Sequence, residues 1–267
     1  MISSFVIGFH TKRIHNLLQT LRFLAKDHKE VIEHSQLVAI CQNNMDDLKD
    51  SKNLEEKQQF EEFESIRENF ERSSLINANI KNMHLPYVTN IGVKNCENEK
   101  IIILESDRLL PKGYFKSVIE ELKEGVCITC KNMKKLLAPA TDQEIEKGSF
   151  NHKEEWRSES NEIGMRNMWS GNTAIHKNDY NKANKMDEYY VGYGWADSDM
   201  TCRMRGIGIQ EIYRPEIELH LWHPSETYGD KSTKEQFVKN GIHFCKKWGL
   251  NYPDWFKQEI SSIKQIF

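Results

Sequence analysis

The sequence of 267 residues lacks a long apolar run and a strong excess of either charge. A membrane-spanning helix needs about 20 consecutive apolar residues, and no window of the chain approaches that length. The net charge of −3 gives no reason to expect nucleic acid or an anionic membrane as a partner. With 38% hydrophobic and 29% charged residues, the composition predicts a soluble globular protein with a sizeable core.

The N-terminal residues are not expected to act as a secretory signal, and the cysteines do not form a dense framework. In MISSFVIGFHTKR the apolar stretch is short, no basic segment precedes it and no cleavage site follows, so we expect a cytoplasmic protein. The six cysteines are scattered, which agrees with that expectation. Cys127 and Cys130 have the CxxC spacing without a second such pair. We interpret them as buried thiols, with structural zinc as the alternative.

Short apolar runs alternate with helical patterns over the first 130 residues. SSFVIGF, SQLVAICQNN, KIIILESD and GVCITCKNM are typical of buried strands, and helical spacing of apolar residues follows each of the first three. This alternation predicts an α/β fold with a mostly parallel, Rossmann-like sheet flanked by helices. Ligands bind at the carboxyl ends of such strands, so residues 8–13, 41–44 and 105–107 should converge.

The second half of the chain has a different texture. Residues 138–168 are polar without a clear period, which predicts a long loop. DEYYVGYGWADSDMTCRMRGIG then predicts an aromatic-rich loop followed by a helix, and GIQEIYRPEIELHLWHP predicts a strand that ends on two histidines. From Phe237 onward we expect one or two amphipathic helices. Packing on the domain is the favoured interpretation for this tail, and peripheral membrane contact is the alternative.

Three pairs of polar side chains indicate chemistry: Glu105 with Asp107, Asp197 with Asp199, and His220 with His223. Carboxylates are the preferred ligands of Mg²⁺, and Mn²⁺ also accepts imidazole. One or two carboxylates and one or two histidines leave coordination positions open, and substrate phosphates typically fill them. The pattern therefore favours a nucleotide-diphosphate site, where the cation neutralises charge on the departing phosphate. Asp199 is the better candidate for a role at the N-terminus of the following helix.

Several blocks of the sequence resemble GT-A-fold glycosyltransferases of family 2. SSFVIGFHTKRIHNLLQTL is similar to their first strand and helix, and TNIGVKNCENEKIIILESDRLLPKGYF is similar to the segment that carries their DxD motif. GYGWADSDMTCRM resembles a later acidic block that galactosyltransferases and polypeptide N-acetylgalactosaminyltransferases share in outline, and HLWHP resembles a late histidine segment. The blocks follow the order of the family over residues 1–225.

The resemblance implies a role for each matching residue. Asp107 would bind the metal, and His223 with His220 would complete its shell. Glu105 would lie near the donor ribose or the metal. Asp197 would be the general base on the acceptor hydroxyl in an inverting single displacement. The residues expected to bind the nucleotide-sugar donor are Gly8, Phe9, His10, Arg13, Asn43, Asn90, Lys94, Glu105, Ser106 and Trp195.

The resemblance also implies an architecture and an activity. A GT-A domain over residues 1–225 would combine a nucleotide-binding half, 1–135, with an acceptor half, 136–225, in which Gly171 and Asn172 join Trp195 beside the donor sugar and acceptor. A helical extension would follow over residues 226–267. The expected activity is metal-dependent transfer, with Mn²⁺ or Mg²⁺, of a sugar from a UDP-sugar to a hydroxyl acceptor such as a glycan.

Three positions depart from the family pattern and keep alternatives open. Glu105 stands where the family has Asp, Ala196 where it has Glu, and the amides of residues 42–44 where an acid often contacts uracil. The alternative function is therefore a catalytically inactive GT-A domain that binds nucleotide or glycan. A nucleotidyltransferase is less favoured, because VIGFHTKR holds a single glycine instead of a glycine-rich phosphate loop.

Overall fold

The apolar runs of the sequence form the strands of one mixed sheet. The computed structural model describes residues 2–150, 154–158, 169, 171–224 and 231–264. Within these residues the sheet has nine strands: β1 Ser4–Phe9, β2 Gln36–Cys41, β3 Arg72–Asn77, β4 Lys100–Leu104, β5 Arg108–Leu109, β6 Val126–Leu136, β7 Glu154–Ser158, β8 Asn172–His176 and β9 Gln210–His220.

Helices connect most of these strands. A 3₁₀ turn over Thr11–Arg13 leads into the first of them. The helices of the described residues are α1 Ile14–Asp27, α2 Lys29–Ile32, α3 Asp46–Lys49, α4 Leu54–Arg67, α5 Leu85–Lys94, α6 Tyr114–Glu121, α7 Asp142–Lys147, α8 Lys177–Lys182, α9 Ala196–Gly206, α10 Lys231–Trp248 and α11 Asp254–Lys264.

The strand order is β3-β2-β1-β4-β8-β6-β9-β5, and β7 pairs with β6 beside this path. The first four strands are mutually parallel, and β6 runs parallel to β9. β8 is antiparallel to both β4 and β6, and β5 is antiparallel to β9. The carboxyl ends of β1, β2 and β4 therefore share one edge of the sheet, where ligands bind in open α/β sheets.

Alternating residues of the strands build a core on each face of the sheet. In β1, Phe5 and Ile7 pack with α1, α4 and α6, whereas Val6 packs with α5, α8 and α9. Side chains of a strand alternate between faces, so this division follows directly from the period of two. The predicted α/β sheet with helices on both faces is confirmed.

Cys127 and Cys130 lie three residues apart in β6 and therefore point to opposite faces of the sheet. Cys127 is in the core beside α5, and Cys130 is in the core beside α1. Burial raises the pKa of the Cys130 thiol to about 12, and it raises the pKa of Cys127 further. The interpretation as buried thiols is confirmed, and the two sulfurs cannot share a zinc ion.

The predicted loop over residues 138–168 is wrong in part. Thr141 and Glu144 form a capping box that starts α7, and β7 then pairs with β6. Residues 151–153 and 159–168 of that range lie outside the described residues.

The C-terminal helices pack on the rest of the chain. Side chains of α10 and α11 form a core with Tyr190 and Trp195, as predicted for an amphipathic tail. The first of these helices begins at Lys231, earlier than the Phe237 expected from the sequence. In the described part of the chain, no helix combines the length and apolar character that crossing a bilayer requires.

Candidate metal centre

Asp107 lies in the turn between β4 and β5, at the carboxyl end of a buried parallel strand. Its backbone carbonyl accepts a hydrogen bond from the amide of Leu221 at 2.8 Å. The next residue, Arg108, lies opposite His220 in the antiparallel β5–β9 pair. This pairing brings the histidine segment of the second half against the acidic turn of the first half.

Asp107, His220 and His223 converge on one point. The Asp107 Oδ2 atom lies 3.2 Å from His223 Nε2 and 3.5 Å from His220 Nε2. The two Nε2 atoms are 3.3 Å apart. Potential ligand atoms of all three residues lie within 4.8 Å of one another, and Asp107 is buried. The predicted meeting of an acid from the front half with imidazoles from the back half is confirmed.

The hydrogen bonds of the cluster suit a divalent cation. His223 Nδ1 lies 3.0 Å from the carbonyl oxygen of Pro224, a contact in which Nδ1–H donates and Nε2 keeps its lone pair for a metal. Asp107 Oδ1 accepts no hydrogen bond from any residue that the structure describes. One carboxylate and two imidazoles form a donor set that Mn²⁺ accepts. The residues present therefore fit the metal that the resemblance implies.

Protonation states also suit a metal. Burial favours neutral Asp107, but the neighbouring imidazoles of His220 and His223 and the charge of Arg108 outweigh it, holding the pKa of Asp107 well below its usual range. Burial lowers the pKa of His220, and the charge of Arg108 lowers it further, against a partial offset from Asp107. Both directions favour an ionised carboxylate and a neutral imidazole, the forms that bind metals.

The ends of β1 and β2 adjoin this cluster. Arg13 Nη1 lies 3.5 Å from Asp107 Oδ2, and the Thr11 amide donates to Asn43 Oδ1 at 3.0 Å. These contacts confirm the predicted convergence of residues 8–13, 41–44 and 105–107. A cavity of about 350 Å³ opens at this edge. Its lining residues are His10, Asn43, Asn44, Asp47, Asn79, Ile80 and Lys81.

The two acids at the start of α9, Asp197 and Asp199, lie in different environments. Asp197 is the second residue of the helix and is half-buried. Asp199 is buried, and its carboxylate accepts hydrogen bonds from Arg203 Nε at 2.7 Å and Trp248 Nε1 at 2.9 Å, with Lys247 Nζ also 2.7 Å away. Asp199 therefore joins α9 to α10 through side chains, instead of capping the helix as expected.

Neither a protein-family model nor a curated protein matches the sequence. Solved structures do match its fold over 98% of the chain. They include S. aureus TarS (13% identity, 43% of that chain, TM-score 0.56) and GalNAc-T7 with UDP, GalNAc and Mn²⁺ (14% identity, 54% of that chain, TM-score 0.59). S. aureus TarS 1–349 in complex with UDP-GlcNAc also matches (13% identity, 71% of that chain, TM-score 0.57). The chain spans about half the length of the first two structures.

The chain has the GT-A fold. In the described residues, the cluster of Asp107, His220 and His223 lies where the end of β4 meets the end of β9. Glu105, which the resemblance placed near the ribose or the metal, lies outside the cluster. Its Oε2 atom is 2.7 Å from Arg108 Nη2 and accepts a hydrogen bond from Arg108 Nε at 2.9 Å, so the guanidinium holds this carboxylate.

Several residues that were expected to contact the nucleotide-sugar donor have side chains that face the protein interior. Phe9 is buried beside Phe63, and Ser106 is buried, its carbonyl accepting a hydrogen bond from Thr20. Gly8 lies under α5, where an added Cβ would come 2.6 Å from Val88 Cγ1. These residues shape the edge through the backbone. In the first segment, the side chain of Arg13 contacts the cluster through Asp107.

The structure does not bring Lys94, Trp195 or Asn90 to the cluster. Lys94 is exposed at the C-terminal end of α5, next to Asn95, whose carbonyl accepts a hydrogen bond from Gln36 at the start of β2. It therefore lies at the amino-end edge of the sheet, opposite Asp107, which corrects the prediction.

Trp195 and Asn90 have structural surroundings. The Trp195 ring is fully buried against Phe244 and Phe256, in the core of the C-terminal helices, so it does not line an open donor site. The Asn90 amide group donates to the Met186 carbonyl at 3.0 Å and to Glu188 at 2.8 Å, and its oxygen accepts from Tyr180.

Sequence reasoning missed Arg108 and most of the cavity lining. Arg108 is 6% exposed and contacts two acids of the turn and one of β9. The available signal was a basic residue directly after an acidic motif at the end of a buried strand. Asn79 and Lys81, which line the cavity after β3, lie in a segment without apolar periodicity and gave no signal.

Proposed function

We propose that the chain is a metal-dependent glycosyltransferase that transfers a sugar from a UDP-sugar to a hydroxyl group of an acceptor such as a glycan. The observation that carries this proposal is the buried cluster of Asp107, His220 and His223 at the carboxyl edge of a GT-A sheet. Support for the donor comes from GalNAc-T7, solved with UDP and Mn²⁺, and TarS, solved with UDP-GlcNAc.

Each part of the edge has a role in this proposal. Asp107, His220 and His223 would hold Mn²⁺ or Mg²⁺, which when bound stabilises negative charge on the leaving diphosphate. Arg13, which lies 3.5 Å from Asp107, would add positive charge on the same side. The amide-lined cavity beside Asn43 has room for a nucleoside base, and its amides could hydrogen-bond the base edge.

Asp197 would take the proton of the acceptor hydroxyl. The acceptor oxygen attacks the anomeric carbon as the bond from that carbon to the diphosphate breaks, giving inversion in a single displacement. Asp197 lies in the first turn of α9, where the helix dipole favours an ionised carboxylate. An ionised carboxylate is the form that accepts a proton.

The test measures binding and turnover separately. Purified protein is assayed for Mn²⁺-dependent UDP binding by calorimetry, and for hydrolysis and transfer with a panel of UDP-sugars. We expect Asp197→Asn to keep UDP binding and lose turnover by about 10²–10⁴-fold. Asp107→Asn should lose Mn²⁺-dependent binding and turnover together. His223→Gln should behave like Asp107→Asn, and the exposed His34→Gln is the matched control. Full activity of Asp107→Asn or Asp197→Asn would refute the assignment.

A second candidate is a GT-A domain that binds a nucleotide without catalysing transfer. Ala196 at the start of α9 favours it, because the family has a glutamate directly before the base and alanine offers no polar contact to an acceptor. Mn²⁺-dependent UDP binding without turnover across a broad panel of donors and acceptors would support this candidate. The domain division at residue 225 and the cytoplasmic location remain predictions.

A further inference from the structure

We propose that Arg108 is a positioning residue that orients Asp107 for the metal, with Glu105 and Glu218 as its two counter-ions. This inference rests on the proposed function, because it concerns the same metal centre. It assigns roles to Arg108 and Glu218 that the family resemblance does not supply, and it gives Glu105 a role other than binding the metal.

The two carboxylate oxygens of Asp107 have different neighbours. Its Nε atom lies 3.5 Å from Asp107 Oδ1, whereas Oδ2 faces His220 and His223. A carboxylate whose one oxygen faces a fixed cation has fewer accessible rotamers, so the other oxygen is held towards the imidazoles. Arg108 is 6% exposed, and its guanidinium is therefore shielded from the solvent that would screen this interaction.

Glu218 links Arg108 to the strand that carries His220. Its Oε1 atom accepts a hydrogen bond from Arg108 Nη1 at 2.9 Å, and the residue is fully buried. Residues 218 and 220 are two apart in β9, so both side chains lie on the same face of the strand. The Arg108–Glu218 ion pair therefore holds the turn that carries Asp107 against the part of β9 that carries His220.

Neighbouring residues hold Glu218 in place and leave space for the Arg108 guanidinium. The second oxygen of Glu218 accepts a hydrogen bond from the Asn172 amide, and Tyr114 donates to the Asn172 oxygen at 2.8 Å. At Gly171, an added Cβ would lie 2.4 Å from Arg108 Nε. The absence of a side chain at this position leaves the space that the guanidinium occupies.

Glu105 contacts the guanidinium of Arg108 on the side away from Glu218. Buried ion pairs are stable only when their geometry and remaining hydrogen bonds are well satisfied. Arg108 meets Glu218 on its buried side and Glu105 on the side nearer solvent, where the Glu105 side chain is 36% exposed. The ion pair with Arg108 therefore explains why Glu105 lies near Asp107 but is not part of the cluster of Asp107, His220 and His223.

The experiment compares Mn²⁺ affinity, measured by electron paramagnetic resonance on folded protein, in four variants. We expect Arg108→Lys to weaken Mn²⁺ binding by about 10–100-fold, because one ammonium cannot contact Glu105, Asp107 and Glu218 together. Asp107→Asn should abolish detectable binding. Glu105→Gln should stay within about threefold of wild type, since its amide oxygen still accepts a hydrogen bond from Arg108. Arg214→Lys, at an exposed ion pair of β9, is the matched control.

Circular dichroism and thermal unfolding without metal establish that each variant is folded, so that affinity reports positioning and not stability. If Arg108→Lys binds Mn²⁺ as well as wild type does, the positioning role is wrong and the metal centre stands. If Glu105→Gln loses binding as completely as Asp107→Asn, Glu105 is a ligand and the inference fails, even where Arg108→Lys does not fold. If wild-type protein binds no Mn²⁺, the metal centre itself fails, and the inference fails with it.

Discussion

Asp107 and Asp199 are both almost fully buried carboxylates, yet they have opposite surroundings. Asp199 accepts hydrogen bonds from Arg203, Lys247 and Trp248, and both of its oxygens have donors. Asp107 has one oxygen without a hydrogen bond from any described residue, and its other oxygen faces two imidazole nitrogens. The first carboxylate is satisfied by the protein alone, and the second is not.

This difference is the one expected between a structural acid and an acid that binds a metal, which is the role proposed for Asp107. Buried polar groups are almost always hydrogen-bonded, so the neighbours of a buried carboxylate indicate whether its role is structural. Burial itself does not discriminate, since Asp107 and Asp199 are buried to nearly the same degree. The two acids differ in their neighbours. Asp199 accepts hydrogen bonds from Arg203, Lys247 and Trp248. Asp107 has two arginines at 3.5 Å and, in addition, two imidazole nitrogens that could share a metal with it.

The largest expected effect comes from removing the structural acid. Asp199→Ala leaves Arg203, Lys247 and Trp248 without their common acceptor, and breaking a buried ion pair of this kind costs about 3–5 kcal/mol. We expect the free energy of unfolding, measured by urea denaturation at pH 7, to fall by that amount. Mn²⁺ affinity below the unfolding transition should stay close to that of wild type. A variant of wild-type stability would show that the Asp199 network does not hold α9 to α10.

A smaller effect, the stabilisation of the fold by bound Mn²⁺, should distinguish Asp107 from Asp199. A ligand that binds only the folded state at 100 times its Kd stabilises the protein by about 2.7 kcal/mol. We expect Mn²⁺ at that excess to raise the unfolding free energy of wild type and of Asp199→Asn equally, and to leave Asp107→Asn unchanged. Urea titrations with Mn²⁺ and with a chelator measure the difference. Equal stabilisation of Asp107→Asn would remove Asp107 from the metal centre.

The sheet and the order of the site blocks could be predicted because they depend on local signals. Short apolar runs mark β1, β2, β4 and β6, and the acid and histidines follow strands whose ends must meet. Such signals fix where a residue lies along the chain and at which end of a strand. They were sufficient to bring Asp107 together with His223.

The remaining site residues depended on side-chain direction, which a sequence pattern does not fix. Trp195 has a φ of 72°, a left-handed backbone conformation, and its ring lies in the core of α10 and α11. Lys94 lies in the segment that resembles the family, but it lies at the end of α5 that faces the other edge of the sheet. Glu218 of β9 contacts Arg108, and Lys247 and Trp248 of α10 contact Asp199, and contacts between such distant segments leave no local period.

The smallest expected effect concerns Asp187, a more exposed acid that shares Lys247 with Asp199. Burial alone would raise its pKa, but hydrogen bonds from Lys247 and the Tyr189 amide, with the charges of Lys247 and Arg203, lower the pKa of Asp187 to about 2. Because this folded-state pKa lies below the unfolded value of about 3.9, the stabilisation is present above pH 4 and is lost as pH falls towards 2.

Asp187→Asn should therefore be less stable than wild type at pH 7, by no more than about 1 kcal/mol because solvent screens this pair. The difference should shrink as the pH falls from 4 towards 2, since wild-type Asp187 becomes neutral there too. Urea unfolding of both proteins across this range measures it, and other carboxylates cancel because both proteins contain them. A difference that stays constant with pH would mean that the charge of Asp187 does not stabilise the fold, and that the Lys247 network depends on Asp199 alone.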